Sequence, residues 1–184
     1  MSLKHAILGF LAFDSSSGYD LKKAFDGSVQ HFWPANQSQI YRTLAKLKEE
    51  GLVDLEVVER EQRLDMKIYH ITDMGSEELH RWLSTPLPPQ VFREPFMIQI
   101  FFGSKLTDEE FEELLQHEIR AAEEILAVYN LMYENIKSRE DSRAFFLSML
   151  PLEYGIRNNQ SLLEWLKSVV ERVRSEDYSL KELK

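Results

Sequence analysis

The sequence predicts a mostly α-helical fold with a small β-hairpin, divided into two domains. Apolar residues recur at helical spacing over most of the 184 residues. Two adjacent runs, at residues 53–58 and 66–72, show instead the alternation and the branched and aromatic side chains that favour strands. Three prolines in the segment Thr85–Pro89 cannot continue a helix and favour a stiff extended link. We therefore expect a first domain at residues 1–85, a proline-rich linker at 86–93 and a second domain at 94–184.

Two helices separated by a polar turn are predicted at the N-terminus. The first helix spans about Ser2–Ala12, and the second spans about Tyr19–Phe32, where Pro34 stops it. The small polar residues 14–18 between them predict a turn, and Ser17 stands where the cap of the second helix is expected. These elements would form the first part of a helix-turn-helix unit.

The third predicted helix has the strongest local signals. Asn36 and Gln39 match the capping-box pattern at its start, and Gly51 follows its last turn, where a left-handed residue is expected. Its apolar residues lie within about 60° of one another around the helix and predict a buried face: Ile40, Leu44 and Leu47. The opposite face carries small, hydroxyl-bearing and cationic side chains: Ser38, Tyr41, Arg42, Ala45 and Lys46.

A hairpin and a fourth helix complete the first domain. The two strand-like runs flank a polar tip at residues 60–65, and a helix over about Asp73–Ser84 follows. The order helix, helix, turn, helix, strand, strand, helix is typical of a winged helix-turn-helix domain. In such a domain, the third helix enters the major groove of DNA.

The third helix and the hairpin carry candidate DNA-binding residues. The Arg42 guanidinium can donate two parallel hydrogen bonds to guanine or phosphate, and the hydroxyls of Ser38 and Tyr41 can donate to phosphate. The predicted contacts are Ser38, Tyr41, Arg42 and Lys46 on the helix, and Arg60, Arg63 and Lys67 on the hairpin. Three alternatives remain open: Tyr41 only packs at the helix edge, Arg42 and Lys46 form only a solvated face, and Lys67 forms a salt bridge across the hairpin.

Several motifs resemble the DNA-binding domain of the PadR family. They occur in the family's order over residues 3–84: Ala6–Leu11, Ser17–Leu21, Phe32–Trp33, Ser38–Tyr41, Leu44–Leu47, Glu49–Val53, Lys67, Tyr69, Ile71–Thr72 and Gly75. Residues 94–103 resemble the start of the larger helical C-terminal domain in one branch of that family. The chain departs from the pattern at Arg42, where the family usually has Pro, and at the hairpin tip, which is flanked by Glu56, Glu59, Glu61 and Asp65.

The resemblance implies a homodimeric transcription regulator. Its C-terminal helices would hold the dimer, and the dimer would bind an inverted repeat in double-stranded promoter DNA. Repression is the usual outcome in the family, and a small-molecule effector sometimes releases the DNA. Two recognition helices related by a two-fold axis would reach half-sites about one helical turn apart.

The second domain is predicted to be an α-helical dimerisation domain. We expect a buried helix at residues 94–102, a long helix at about 107–136, and a last helical region at about 141–174 that is interrupted near Pro151 and Gly155. The long helix repeats apolar residues at alternating spacings of four and three, as a coiled-coil seam does: Leu115, Ile119, Ala122, Leu126, Tyr129 and Tyr133. We expect this seam to join two protomers, and the alternative is packing within one protomer.

An aromatic cluster near the domain boundary has two interpretations. Phe96, Phe101 and Phe102 either fill the core of the second domain or line a pocket for a small aromatic effector. Pockets of that kind are favoured at boundaries between domains.

Composition restricts the classes of function. The net charge of −9 divides into −3 for residues 1–85 and −6 for residues 86–184, so most of the excess acid lies outside the predicted DNA-binding domain. The chain has no cysteine, which excludes disulfides and thiol nucleophiles and favours a cytoplasmic location. It has no apolar run of 18 residues for a membrane span, and no catalytic, nucleotide-binding or metal-binding motif, so we expect no enzyme and no cofactor. The acidic charge favours one competing interpretation, a winged-helix protein-interaction module that does not bind DNA.

Overall fold

The chain divides into two compact units, Met1–Val91 and Phe92–Lys184. The structure is a computed structural model and describes residues 2–59, 65–89, 92–136 and 142–179. Across these ranges, no helix combines the length and the apolar character that crossing a membrane requires.

The N-terminal unit combines four helices with a three-stranded antiparallel sheet. The elements in chain order are α1 (Ser2–Phe13), β1 (Ser16–Ser17), α2 (Gly18–Asp26), α3 (Gln37–Glu49), β2 (Val53–Val58), β3 (Met66–Ile71) and α4 (Asp73–Ser84). The strand order is β1-β3-β2, and β2 and β3 pair from Val53 opposite Ile71 to Val58 opposite Met66. This arrangement confirms the predicted mostly α-helical fold with a hairpin after the third helix.

One core holds the helices and the sheet of this unit together. It buries Ile7, Leu8 and Leu11 of α1, Leu21 and Phe25 of α2, Ile40, Leu44 and Leu47 of α3, and Leu52, Val53 and Tyr69 of the sheet region. Removing these side chains from water is the main source of stability for such a unit. Because each helix contributes one apolar stripe, its opposite face is left for solvent or for a partner.

Two details of the N-terminal unit differ from the sequence-based expectations. The predicted turn at 14–18 contains β1, whose Ser16 and Ser17 pair with Tyr69 and Ile68 of β3. The second helix was expected to reach Phe32, but α2 ends at Asp26 and a separate 3-10 turn spans Val29–His31. The hydroxyl of Ser28 donates to the carbonyl of Ala24 and, with Gly27 before it, ends the helix.

The C-terminal unit is built around two long helices. Its elements are α5 (Pro95–Phe101), a 3-10 turn (Gly103–Lys105), α6 (Asp108–Ile136) and α7 (Arg143–Arg174). Helices α6 and α7 run antiparallel, since Glu112 pairs with Arg174 near one end and the ring of Tyr129 lies against Gly155 further along. Leu115 and Ile119 of α6 pack with Phe96 of α5 and with Leu166 and Val170 of α7.

Three expectations for the C-terminal unit are wrong. The last helix is not interrupted, because α7 passes through Pro151, where proline removes one backbone hydrogen bond, and through Gly155, where a side chain would collide with Tyr129. Helix α5 is not buried as a whole: Phe96 is buried in the core and Ile100 packs partly against it, whereas Ile98 and Phe101 are exposed. The seam on α6 does not join protomers along its first half: Leu115, Ile119, Ala122 and Leu126 are buried within one protomer, as the alternative interpretation has it.

A close backbone approach at the start of α4 generates a prediction. A side chain at Gly75 would overlap the carbonyl oxygen of Leu52, whereas one at Gly9 of α1 would meet nothing within 4 Å. We expect Gly75→Ala to lower the free energy of unfolding by about 2 kcal/mol, because backbone must move to make room. Gly9→Ala makes the same chemical change in open space and should leave stability unchanged or raise it by up to about 1 kcal/mol. Urea denaturation of both variants tests this, and equal midpoints would contradict it.

Candidate nucleic-acid interface

Helix α3 has both ends fixed by local interactions. The backbone N–H of Gln39 donates to Oδ1 of Asn36 at 2.9 Å, and the backbone N–H of Asn36 donates to Oε1 of Gln39 at 2.9 Å. After the C-terminal end, Gly51 adopts φ 71°, a conformation that side chains disfavour. The predicted capping box and left-handed glycine are therefore confirmed, and they set where the exposed face of α3 begins and ends.

The outer face of α3 carries the predicted side chains. Ile40, Leu44 and Leu47 are fully buried or nearly so, while Ser38, Arg42 and Lys46 are exposed. Helical spacing aligns Ser38, Arg42 and the small Ala45 along one strip opposite the core. The strip ends in Glu49, an exposed acid that the sequence analysis did not assign to this face. The N-terminal part of the strip is therefore cationic and polar, and the C-terminal end is acidic.

Tyr41 both packs and faces solvent. Its side chain is 40% exposed, and its ring lies so close to Gly18 that a Cβ there would be 2.5 Å from Cε1. The absence of a side chain at Gly18 lets α2 and α3 meet at this point. Burial, and to a smaller extent the neighbouring Tyr41, raises the pKa of the Tyr69 hydroxyl in the sheet below. Tyr41 therefore packs against Gly18, as the alternative interpretation expects, and it also remains partly exposed to solvent.

The cations of α3 are lightly engaged within the protein. The Arg42 Nε donates to the carbonyl of Ser38 at 3.4 Å, a long hydrogen bond that involves only one of the three guanidinium nitrogens. The Lys46 ammonium lies 3.9 Å from the Glu50 carboxylate, at the limit of an ion pair, and the Lys46 side chain is 75% exposed. Lys67 of β3 is exposed as well, and the described residues include no salt bridge to it across the hairpin.

The hairpin is acidic where the structure describes it. Asp54, Glu56 and Glu59 are exposed along β2 and just after it. Glu56 lies 2.9 Å from Nε2 of His70, and the other ring nitrogen of His70 lies 2.7 Å from the Ser15 hydroxyl. The two predicted cations of the tip, Arg60 and Arg63, lie outside the described residues.

The predicted aromatic cluster is divided in the structure. Phe96 is buried in the core of the C-terminal unit, whereas the Phe101 and Phe102 rings are exposed and meet edge to face with centroids 5.0 Å apart. An open groove of about 680 Å³ in this unit lies along α6 and is lined by Glu109, Glu112, Glu113, Gln116, His117 and Arg120, none of which is one of these phenylalanines. Among the described residues, no three His, Asp or Glu side chains are placed to hold a metal ion.

An exposed polar helix on a helix-turn-helix core, followed by an antiparallel hairpin, defines a winged helix-turn-helix DNA-binding protein. The chain belongs to the PadR-like family of transcriptional regulators. The family model matches residues 7–81, and a second model, the virulence activator alpha C-terminal domain, matches residues 92–174. The resemblance to the family and to its branch with a larger helical C-terminal domain is thereby confirmed.

The relatives of the chain match it over nearly its whole length. The negative transcriptional regulator PadR of Bacillus subtilis (strain 168) is 31% identical over 173 residues, which cover 91% of this chain and 95% of that protein. The crystal structure of B. subtilis PadR in complex with operator DNA has a TM-score of 0.85 and 31% identity, and the match covers 94% and 99% of the two chains. The crystal structure of the same protein with p-coumaric acid has a TM-score of 0.80 and 30% identity, with coverage of 94% and 95%.

Proposed function

We propose that this regulator is a repressor that binds an inverted-repeat operator as a homodimer and occupies a promoter. The observation that carries the proposal is the exposed face of α3, which is polar and cationic over its first two turns and rests on a buried apolar face. A similar protein of known structure binds operator DNA. Because the proposed target is promoter DNA, the proposed place of action is the cytoplasm. The proposal assigns no residue a catalytic role.

The proposed DNA contacts follow from the chemistry of the exposed side chains. Arg42 offers a planar pair of donors for guanine or phosphate, and the Ala45 methyl allows close approach to the groove. Ser38 and Tyr41 donate hydroxyl groups to phosphate oxygens, and Lys46 supplies a cation at the strip's edge. Lys67, Arg60 and Arg63 are the proposed backbone contacts of the hairpin.

The charge distribution concentrates binding on α3. The exposed acids Asp54, Glu56 and Glu59 repel phosphate along the hairpin, so only cations that project beyond them can contact the DNA backbone. Removing any cation from α3 should therefore have a clear effect on affinity. Phosphate contacts position the protein without reading sequence, whereas a bidentate contact of Arg42 with a base would carry specificity.

Substitution of α3 cations tests the proposed contacts. Lys46→Ala should weaken binding to native and scrambled duplexes alike and lower the slope of log K against log salt by about 0.9 for each phosphate that is no longer neutralised. Arg42→Ala should cost about 1–3 kcal/mol on the native duplex if it reads a base, and less on the scrambled one. Fluorescence anisotropy with duplex DNA from upstream of the protein's own gene, at two salt concentrations, measures both effects.

The matched control is Lys105→Ala, which removes an exposed cation from the C-terminal unit and should leave affinity unchanged. Wild-type affinity in both α3 variants would contradict the residue assignment. Weak binding of the wild-type protein that is equal on both duplexes and abolished by salt would contradict operator recognition on that DNA.

The competing interpretation, a winged-helix protein-interaction module that does not bind DNA, draws no support from relatives named as transcriptional regulators.

Homodimerisation is supported by the part of the α6–α7 hairpin in which α6 ends and α7 begins. Residues 127–136 and 143–159 include no fully buried side chain among those described. They nevertheless expose a series of large apolar side chains: Val128, Leu131, Tyr133, Phe146, Leu147, Leu150 and Tyr154. A patch of this size is costly to leave in water, and a second copy of the same hairpin would cover it. A two-fold dimer also matches an inverted repeat.

A charge placed in this patch tests the dimer. Leu131→Glu should raise the dimer dissociation constant on the order of 100-fold or more, since dimerisation would bury an unpaired carboxylate. Leu83→Glu is the matched control, because Leu83 is 67% exposed on α4 and Leu131 is 64% exposed. Light scattering over a concentration series measures the oligomeric state. A dimer that survives Leu131→Glu at all concentrations would mean that the protomers meet elsewhere.

We also propose that a small aromatic acid acts as effector. The support is the p-coumaric acid complex of a similar protein together with the exposed ring pair Phe101 and Phe102. Phe96 is buried in the core of the C-terminal unit, so it would affect ligand binding only indirectly, by holding α5 in place.

Thermal unfolding with p-coumaric acid tests this proposal. At about ten times its dissociation constant, a ligand that binds only the native state should raise the midpoint by roughly 3–6 °C. Phe101→Ala should reduce this shift, whereas Phe13→Ala, which removes an equally exposed ring from α1, should preserve it. A shift that is the same in both variants would place the ligand away from Phe101, and no shift at saturating concentrations would exclude this acid as the effector.

A further inference from the structure

A network of ion pairs joins the C-terminal end of α3 to α1 and α4. The Lys4 ammonium of α1 donates to Oε2 of Glu50 at 2.7 Å and lies 3.5 Å from the carboxylate of Glu78 on α4. Glu78 also pairs with Arg81 and lies 3.1 Å from Nε2 of the buried His5, whose ring stacks on Trp82. Glu78 already pairs with Arg81, and the shorter contact of the Lys4 ammonium is with Glu50.

Two lysines compete for the Glu50 carboxylate. The ammonium of Lys4 is 2.7 Å from it, whereas that of Lys46 is 3.9 Å from it. The side chain of Lys4 is 25% exposed and that of Lys46 is 75% exposed, so the pair with Lys4 is less screened by water. The hydrogen bond from Lys4 is also the main reason that the pKa of Glu50 is lowered.

We propose that Lys4 is a positioning residue for DNA binding: it holds the Glu50 carboxylate on the α1 side and leaves the Lys46 ammonium for a DNA phosphate. This inference rests on the proposed function, in which Lys46 contacts phosphate. Lys4 itself need not contact DNA, since its ammonium is engaged with two carboxylates.

The effect of removing Lys4 follows from helix geometry. Lys46 and Glu50 are four residues apart, and ion pairs form readily at this spacing. Without Lys4, the carboxylate of Glu50 turns to Lys46 and neutralises it beside the DNA. A phosphate then loses a cation at each half-site, and fewer counterions are released on binding.

Four variants test the inference by anisotropy on the upstream and scrambled duplexes. Lys4→Met keeps the apolar stem and should weaken binding about two- to tenfold on both, with a lower salt slope. Lys4→Arg should bind like the wild type. Glu50→Gln should bind as well as the wild type or better, and the double variant Lys4→Met with Glu50→Gln should return to the affinity of Glu50→Gln. Thermal unfolding of each variant shows that it is folded at the assay temperature.

The double variant distinguishes a positioning role of Lys4 from a direct role in DNA binding or in supporting α1. A double variant as weak as Lys4→Met would mean that Lys4 contacts DNA or supports α1 directly, and would overturn the inference. Unchanged affinity and salt slope in Lys4→Met, with Lys46→Ala weakened as expected, would overturn it while leaving the proposed function intact. Unchanged binding in Lys46→Ala would overturn the phosphate contact itself, and with it the role of Lys4.

Discussion

The one-sided burial of α3 is the constraint on which the rest of the N-terminal unit depends. Ile40, Leu44 and Leu47 fix the rotation of the helix about its axis, because turning it would bring them into water and bury charged side chains. The capping box and Gly51 fix where the helix begins and ends. Rotation and length together decide which side chains face outward. Specific recognition of a groove requires this rigidity, since side chains held loosely could not select one base pair over another.

Local charges on α3 differ in sign from the net charge of the chain. The chain carries a net charge of −9, yet the outer strip of α3 begins with a hydroxyl and a guanidinium. Acids near the helix are held by nearby cations: Glu50 by Lys4 of α1, and Glu78 by Arg81 of its own helix α4. Pairs within the protein thus determine which cations remain for a partner, and counts of charge by domain do not show this.

Local signals in the sequence predict much of this fold, and long-range pairing accounts for what they miss. The start of α3 is encoded by Asn36 and Gln39 within four residues, and the structure confirms it. The strand β1 has only two serines, and its pairing depends on Tyr69, more than fifty residues away. Helix α7 continues through Pro151, although a proline within a helix is a local signal for a break. In the site, the exposure of Arg42 and Lys46 follows from helical periodicity, whereas the contact of Glu50 with Lys4 spans 46 residues and has no local signal.

The acidic edge of the hairpin has a consequence for how the protein finds its target. Asp54, Glu56 and Glu59 are exposed on and just after β2, the strand that follows α3, so on the proposed mode of binding each encounter with arbitrary DNA would combine attraction at α3 with repulsion from β2. Sliding along a chromosome depends on a sequence-independent attraction that this repulsion weakens. A protein with this charge distribution would make shorter visits to non-target DNA and would search more by repeated collision from solution. A larger share of its molecules would then stay unbound, and occupancy of the operator would respond directly to the protein's concentration.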